Sequence, residues 1–224
     1  MSGFFEFVRT SFGHVFPIFI AAAFAIAIII ERSFALFKRY PIRNAEAFFE
    51  KITDLVMSGK LSEAVALCDR YPDKPQAQVV KQALLRAHQP ESLIENGIEL
   101  VVGKAAQAIS RRTSFLATIA NVATLLGLFG TIAGLISSFQ AVATVDAQQK
   151  SAMLAAGISQ AMNATMLGLG LAIPCMVAFS FLMNRTNRLV SDVDQAAVQA
   201  LDILKQRFYS AEIGALKALP KSKG

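Results

Sequence analysis

Three hydroxyl side chains, those of Thr124, Thr131 and Ser138, recur every seven residues in a stretch without charged residues or His. On a straight helix a seven-residue step drifts by only about 20°, so these hydroxyls form one stripe. The stretch, residues 115–140, would span roughly 39 Å as a helix, enough to cross a bilayer with tilt. No neighbouring His, Asp or Lys could activate a hydroxyl as a nucleophile. The stripe therefore predicts a polar pathway or helix contact, and no enzyme activity.

A second polar set lies in the mostly apolar residues 152–183 and consists of Ser159, Gln160, Asn163 and Thr165. Thr165 can face the same interior as Thr131 if the two helices run antiparallel. Proton relays through hydrocarbon normally use carboxylates or His, and neither apolar run contains one. A partner would have to supply the carboxylate. The residues predicted for an ion pathway are Thr131, Thr165, Thr124, Asn121, Gln160 and Ser138.

Glycines form a second pattern in the same two runs. Gly130 and Gly134 make a G-x-x-x-G motif, which lets another helix approach the backbone closely. The positions predicted for helix packing are Gly127, Gly130, Gly134, Gly168 and Pro174. The alternative interpretation of both patterns is that small and hydroxylated residues only hold a helical bundle together.

Composition indicates a membrane protein, because hydrophobic residues make up 54% of the chain and charged residues only 17%. The apolar residues fall in blocks, which predict three transmembrane helices at residues 14–38, 115–140 and 152–183. The predicted fold is an all-α integral membrane protein whose long helices extend into a cytoplasmic helical bundle.

The charge pattern predicts the topology. All but two of the 22 Lys and Arg residues lie in residues 32–112 and 185–223; the exceptions are Arg9 and Lys150. By the positive-inside rule, residues 39–114 and 184–224 are cytoplasmic. An amphipathic segment at residues 1–13 and a loop at residues 141–151 are then periplasmic. The net charge of +6 is explained by topology, so no nucleic-acid partner is expected.

The cytoplasmic region shows helical periodicity with breaks at Gly59, at residues 71–75 and at residues 89–90, which predicts three short helices. The next helix opens at Glu91 and, with no Pro following, is expected to continue unbroken to Gln140. A further amphipathic helix is expected from Arg185 to about Tyr209. Cysteines and histidines are too scattered for a disulfide or a metal site, and no cofactor is expected.

Two motifs in these runs resemble the ExbB, TolQ and MotA group of proton-channel subunits. They are GLFGTIAGLISSF at residues 127–139 and GISQAMNATMLGLGLAIP at residues 157–174, and IIIER at residues 28–32 is similar to the inner end of that family's first span. The resemblance implies a homopentamer of three-span subunits in the bacterial inner membrane, around a dimer of a single-span ExbD, TolR or MotB-like partner. That partner carries an intramembrane Asp. The family's pore-facing threonines match Thr131 and Thr165, and its third-span proline matches Pro174.

The sequence departs from that pattern at two positions. Thr124 stands where ExbB and TolQ have Pro, and Gln160 stands where they commonly have Glu. A Gln side chain cannot exchange a proton at physiological pH. The leading hypothesis is an ion-driven stator subunit for TonB-like uptake, Tol-like envelope function or gliding motility. The alternative is a non-conducting pentameric scaffold for a single-span partner, and the choice between proton and sodium stays open.

Overall fold

The computed structural model of the chain describes residues 12–143 and 146–218, and these residues form helices with no strand. Nearly all of the amphipathic segment predicted at residues 1–13 lies outside the described residues. In chain order the helices are α1 (Phe12–Phe34), α2 (Ala45–Met57), α3 (Leu61–Asp69), α4 (Pro75–Leu85), α5 (Glu91–Ser110), α6 (Phe115–Val142) and α7 (Ala147–Ala218). A π-helical turn, Ala35–Arg39, directly follows α1.

Three helical segments are long and apolar enough to cross a membrane. They are Phe16–Arg39, Glu91–Val142, which contains α5 and α6, and Ala147–Ser210 within α7. Large apolar side chains such as Phe24, Phe129 and Phe181 are exposed on them, as expected where a helix faces lipid. The prediction of an all-α integral membrane protein with three spans is confirmed. The limits of each span in the bilayer stay predictions.

One compact unit joins most of α1 to residues 112–183, which contain α6 and the first half of α7. Its buried positions are mostly small, and they include Ala25, Ala120, Ala123, Ala161 and Ala164. Because small side chains let helix backbones approach closely, packing here depends on van der Waals contact between backbones.

The second compact unit comprises residues 34–111 and the part of α7 from residue 184 onward. Its core is built from larger side chains, including Phe48, Ile52, Val56, Val80 and Val193. The predicted breaks in this region are confirmed: Gly59 has a φ of +76°, and Pro75 opens α4. Lys205 of α7 forms ion pairs with Glu91 at 2.6 Å and Glu95 at 3.3 Å on α5.

The expected unbroken helix from Glu91 to Gln140 is wrong. The chain turns between α5 and α6, and Arg112 there adopts a φ of 65°, a left-handed conformation that is unfavourable for a residue with a side chain. The Arg112 guanidinium donates to both carboxylate oxygens of Glu31, each at 2.9 Å. Periodicity could not reveal this break because no Gly or Pro marks it and the ion-pair partner is 81 residues away.

The third span and the C-terminal helix are one continuous helix. Instead of a separate helix beginning at Arg185, α7 runs for 72 residues. Residues 184–188, NRTNR, are polar but contain no Gly or Pro, so nothing in the backbone stops the helix there. Pro174 lies inside α7, where its missing N–H removes one hydrogen bond without ending the helix.

Cys68 provides a test of the second unit's packing. The thiol is fully buried in α3, and burial, with a smaller contribution from Asp69, raises its pKa to about 12. At pH 8 only about one thiol in 10,000 would be ionised, so we expect no maleimide labelling of Cys68 in the native protein. A Cys175→Ser variant leaves Cys68 as the single reporter, and labelling should appear only after denaturation. Fast native labelling would contradict the packing of α3.

Candidate functional site

The backbones of α6 and α7 approach closely along a line of glycines. A Cβ atom added to Gly168 would lie 2.6 Å from the Ala123 carbonyl oxygen and 2.9 Å from Gly127 Cα. Further along α6, a Cβ on Gly130 would lie 2.7 Å from Ala164 Cβ, and one on Gly134 would lie 2.9 Å from Ala161 Cβ. Contacts that advance along α6 as they go back along α7 show that the two helices run antiparallel.

This approach brings Thr131 of α6 and Thr165 of α7 together. Their hydroxyl groups hydrogen-bond to each other across the helix pair. The Thr131 hydroxyl also lies 3.2 Å from the Gly127 carbonyl oxygen and 3.3 Å from the Ala161 carbonyl oxygen. The Thr165 hydroxyl lies 3.2 Å from the same Gly127 oxygen. Two hydroxyl protons thus face more acceptors than they can satisfy at once, so the hydrogen bonds of the pair can rearrange.

The other members of the predicted stripe bond within their own helix. The Thr124 hydroxyl donates to the Ala120 carbonyl oxygen at 3.1 Å, and the Ser138 hydroxyl donates to the Gly134 carbonyl oxygen at 2.7 Å. Asn121 is exposed on α6. The structure therefore joins Thr131 to Thr165 directly, whereas Thr124 and Asn121 are not part of that cluster.

A crevice of about 420 Å³ lies between α6 and α7, at the end of the pair nearer their connection. Ser138 and Gln160, both predicted for the ion pathway, line it together with Ser137, which was not among the predicted pathway residues. The adjacent serine is the signal that could have found Ser137, since the predicted stripe followed a strict seven-residue spacing. Gly130 and Ala164 also line the crevice, so it extends to the neighbours of the Thr131 and Thr165 pair.

Chemically, the cluster is neutral and has no group that changes its protonation near neutral pH. It offers hydroxyl donors, carbonyl acceptors and space for water, and it can orient or hydrogen-bond a charged group brought by another molecule. No group of His, Cys, Asp and Glu that could hold a metal occurs in the part of the chain that the structure describes. Proton exchange at this site would require a carboxylate from elsewhere.

Comparison with known proteins identifies the class to which this fold and site belong. Residues 72–195, just over half of the chain, match the model of the MotA/TolQ/ExbB proton channel family. The chain belongs to this family, as the two glycine-rich motifs predicted.

Its relatives include two Tol-Pal system proteins and a biopolymer transport protein. The chain is 35% identical to the Tol-Pal system protein TolQ of Haemophilus influenzae over 46% of each chain. It is 29% identical to TolQ of Pseudomonas aeruginosa over 55% of this chain and 54% of the relative. It is 35% identical to the biopolymer transport protein ExbB of Pseudomonas putida over 46% of this chain and 31% of the relative. The chain spans about half the length of the TolQ relatives and less of this ExbB.

Proposed function

We propose that this protein is the multi-span subunit of an ion-driven stator in the bacterial inner membrane, with the proton as the transported ion. A single-span ExbD or TolR-like partner would carry the intramembrane Asp, and the complex would deliver work to the cell envelope. Membership of a proton channel family supports this class of function. The hydroxyl pair of Thr131 and Thr165, set between two carboxylate-free spans, is the observation that carries it.

The proposed pathway uses this chain as the wall and the partner as the proton carrier. Water would reach the site through the crevice lined by Ser137, Ser138 and Gln160. The Thr131 hydroxyl, now shared between Thr165 and the Gly127 and Ala161 carbonyls, would turn its proton toward the ionised Asp of the partner. A hydrogen bond to an ionised group stabilises it by about 1.5–3 kcal/mol. Gln160 can orient water but cannot take up a proton.

The orientation proposed from the charge pattern places the amino terminus and the connection between α6 and α7 in the periplasm. The Lys- and Arg-rich segments then lie in the cytoplasm. In this orientation the crevice opens toward the periplasm, from which a proton-motive force drives protons inward. A homopentamer around two partner chains would place the α6 and α7 pairs at a shared interior. The client would be TonB-like uptake, Tol-like envelope function or gliding motility.

One observation favours the alternative, a non-conducting scaffold for a single-span partner. Each hydroxyl of the Thr131 and Thr165 pair has protein acceptors within its own chain, as expected for groups that only join two helices. The effect of Thr131→Val on ion flux and on assembly separates the two functions.

The experiment that tests the proposal is native mass spectrometry of the complex after gentle extraction from its own membrane. We expect five copies of this chain with two copies of a single-span protein that has an Asp within its span. The sequence of that partner's periplasmic domain would identify the client. A pentamer that retains no carboxylate-bearing partner, after repeated mild extraction, would contradict the stator and leave the scaffold.

A further inference from the structure

A basic pocket of about 470 Å³ lies in the second compact unit, where the apolar span Phe16–Arg39 ends. The π-helical turn forms one side, and the connection between α3 and α4 forms the other. Four basic residues line the pocket with a single acidic one, Asp73. The basic residues are Lys38, Arg39, Arg70 and Lys74.

Two of the four cations hold the walls together. The Arg39 guanidinium pairs with the Asp73 carboxylate at 2.7 Å. The Lys74 ammonium donates to the Arg39 carbonyl oxygen at 2.7 Å and to the Lys38 carbonyl oxygen at 3.3 Å. These bonds join the end of the first span to the connection between α3 and α4. The ion pair with Arg39 also neutralises Asp73, the one acidic residue of the pocket.

The other two cations, Lys38 and Arg70, form no ion pair with any acidic residue that the structure describes. The Lys38 ammonium lies 5.8 Å from the centre of the Phe34 ring, a cation–π contact at the rim of the pocket. Arg70 is exposed at the carboxyl end of α3. With Lys74, whose ammonium is bonded only to carbonyl oxygens, the pocket has three positive charges that no carboxylate balances, and these charges are complementary to an anion.

The surroundings favour an anion that carries hydrocarbon. The side chains of Phe34 and Phe37 are 60% and 59% exposed and lie on the last turns of the apolar span. A span that ends here puts the pocket at the level of lipid headgroups, where basic pockets beside membrane helices bind anionic headgroups. A soluble phosphate has no hydrocarbon that could contact the two exposed rings.

We infer that this pocket binds the phosphodiester headgroup of an anionic phospholipid. Lys38 and Arg70 pair with the phosphate, and the acyl chains lie along Phe34 and Phe37. The site would fasten the end of the first span to the membrane surface. This inference requires only that the first span crosses the membrane. It can therefore be tested independently of the proposed ion pathway.

The test is a lipid titration of the purified, delipidated full-length protein, followed by native mass spectrometry. We expect phosphatidylglycerol to bind well and phosphatidylcholine of the same acyl chains to bind poorly. Each basic residue near an anionic headgroup strengthens binding roughly fivefold, so the double variant K38Q/R70Q should bind phosphatidylglycerol roughly 25-fold more weakly. The matched control K51Q/K104Q removes two exposed lysines outside the pocket and should change the affinity less than about twofold.

Three outcomes would overturn the site. Equal losses in the two double variants would show only general charge attraction, and equal binding of phosphatidylcholine would show no headgroup recognition. Displacement of the lipid by millimolar inorganic phosphate would mean that the pocket binds a free anion. Maleimide protection of Cys68 checks that each variant is folded. If K38Q/R70Q fails this check, R70Q alone should weaken binding roughly fivefold while R70K retains it, and unchanged binding by R70Q would contradict the inference.

Discussion

Replacing Gly168 with Ala is expected to destabilise the α6 and α7 pair and to separate the Thr131 and Thr165 hydroxyls. The added methyl group would lie 2.6 Å from the Ala123 carbonyl oxygen and 2.9 Å from Gly127 Cα. Both neighbours are backbone atoms, so no side-chain rotation can relieve the overlap and one helix must move. Overpacking of this kind costs about 1–3 kcal/mol. Thermal unfolding in detergent should show the loss as a lower melting temperature.

The matched control for this substitution is two residues away. A Cβ on Gly170 would meet no atom within 4 Å, so Gly170→Ala adds the same methyl group to the same helix without an overlap. We expect Gly170→Ala to leave the melting temperature unchanged or to raise it, because Ala favours helix over Gly by about 1 kcal/mol. Equal stability of the two variants would show that the close approach at Gly168 does not support the fold.

The spans and the cytoplasmic helices could be predicted because their signals are local. The block of apolar residues from 115 to 140 is long enough to cross a bilayer whichever helices it packs against. Gly59 ends a helix and Pro75 begins one because of the backbone conformations that Gly and Pro adopt. The seven-residue spacing also predicted that Thr124, Thr131 and Ser138 share one face of α6. Each of these inferences uses only residues that are close together in the sequence.

What could not be predicted depends on contacts between distant residues. Arg112 has no intrinsic preference for a positive φ, and its turn is accompanied by an ion pair with Glu31 of α1. The hydroxyl stripe did not indicate that Thr131 meets Thr165 while Thr124 bonds only its own helix. That difference follows from the register of α6 on α7, which the approach at Gly127 and Gly168 sets.

The Thr131→Val variant is expected to reduce ion-driven work strongly while the complex still assembles. Val keeps the volume and branching of Thr but cannot donate a hydrogen bond to the Asp that we propose in the partner. Losing a hydrogen bond to a charged group costs about 1.5–3 kcal/mol, which slows passage roughly 10- to 100-fold. Interhelical hydrogen bonds in membranes average only about 0.6 kcal/mol, so the bond lost to Thr165 should leave the fold intact.

Proton flux is measured in proteoliposomes that contain this chain and its co-purified partner, with a pH-sensitive dye inside. Thr131→Ser keeps a hydroxyl and should retain most of the flux, whereas Thr124→Val removes a hydroxyl that bonds only the Ala120 carbonyl and should have a smaller effect than Thr131→Val. A non-conducting scaffold predicts a different result. The wild type would then conduct no protons, and Thr131→Val would weaken the oligomer. Flux in Thr131→Val equal to the wild type would exclude the Thr131 hydroxyl from the pathway.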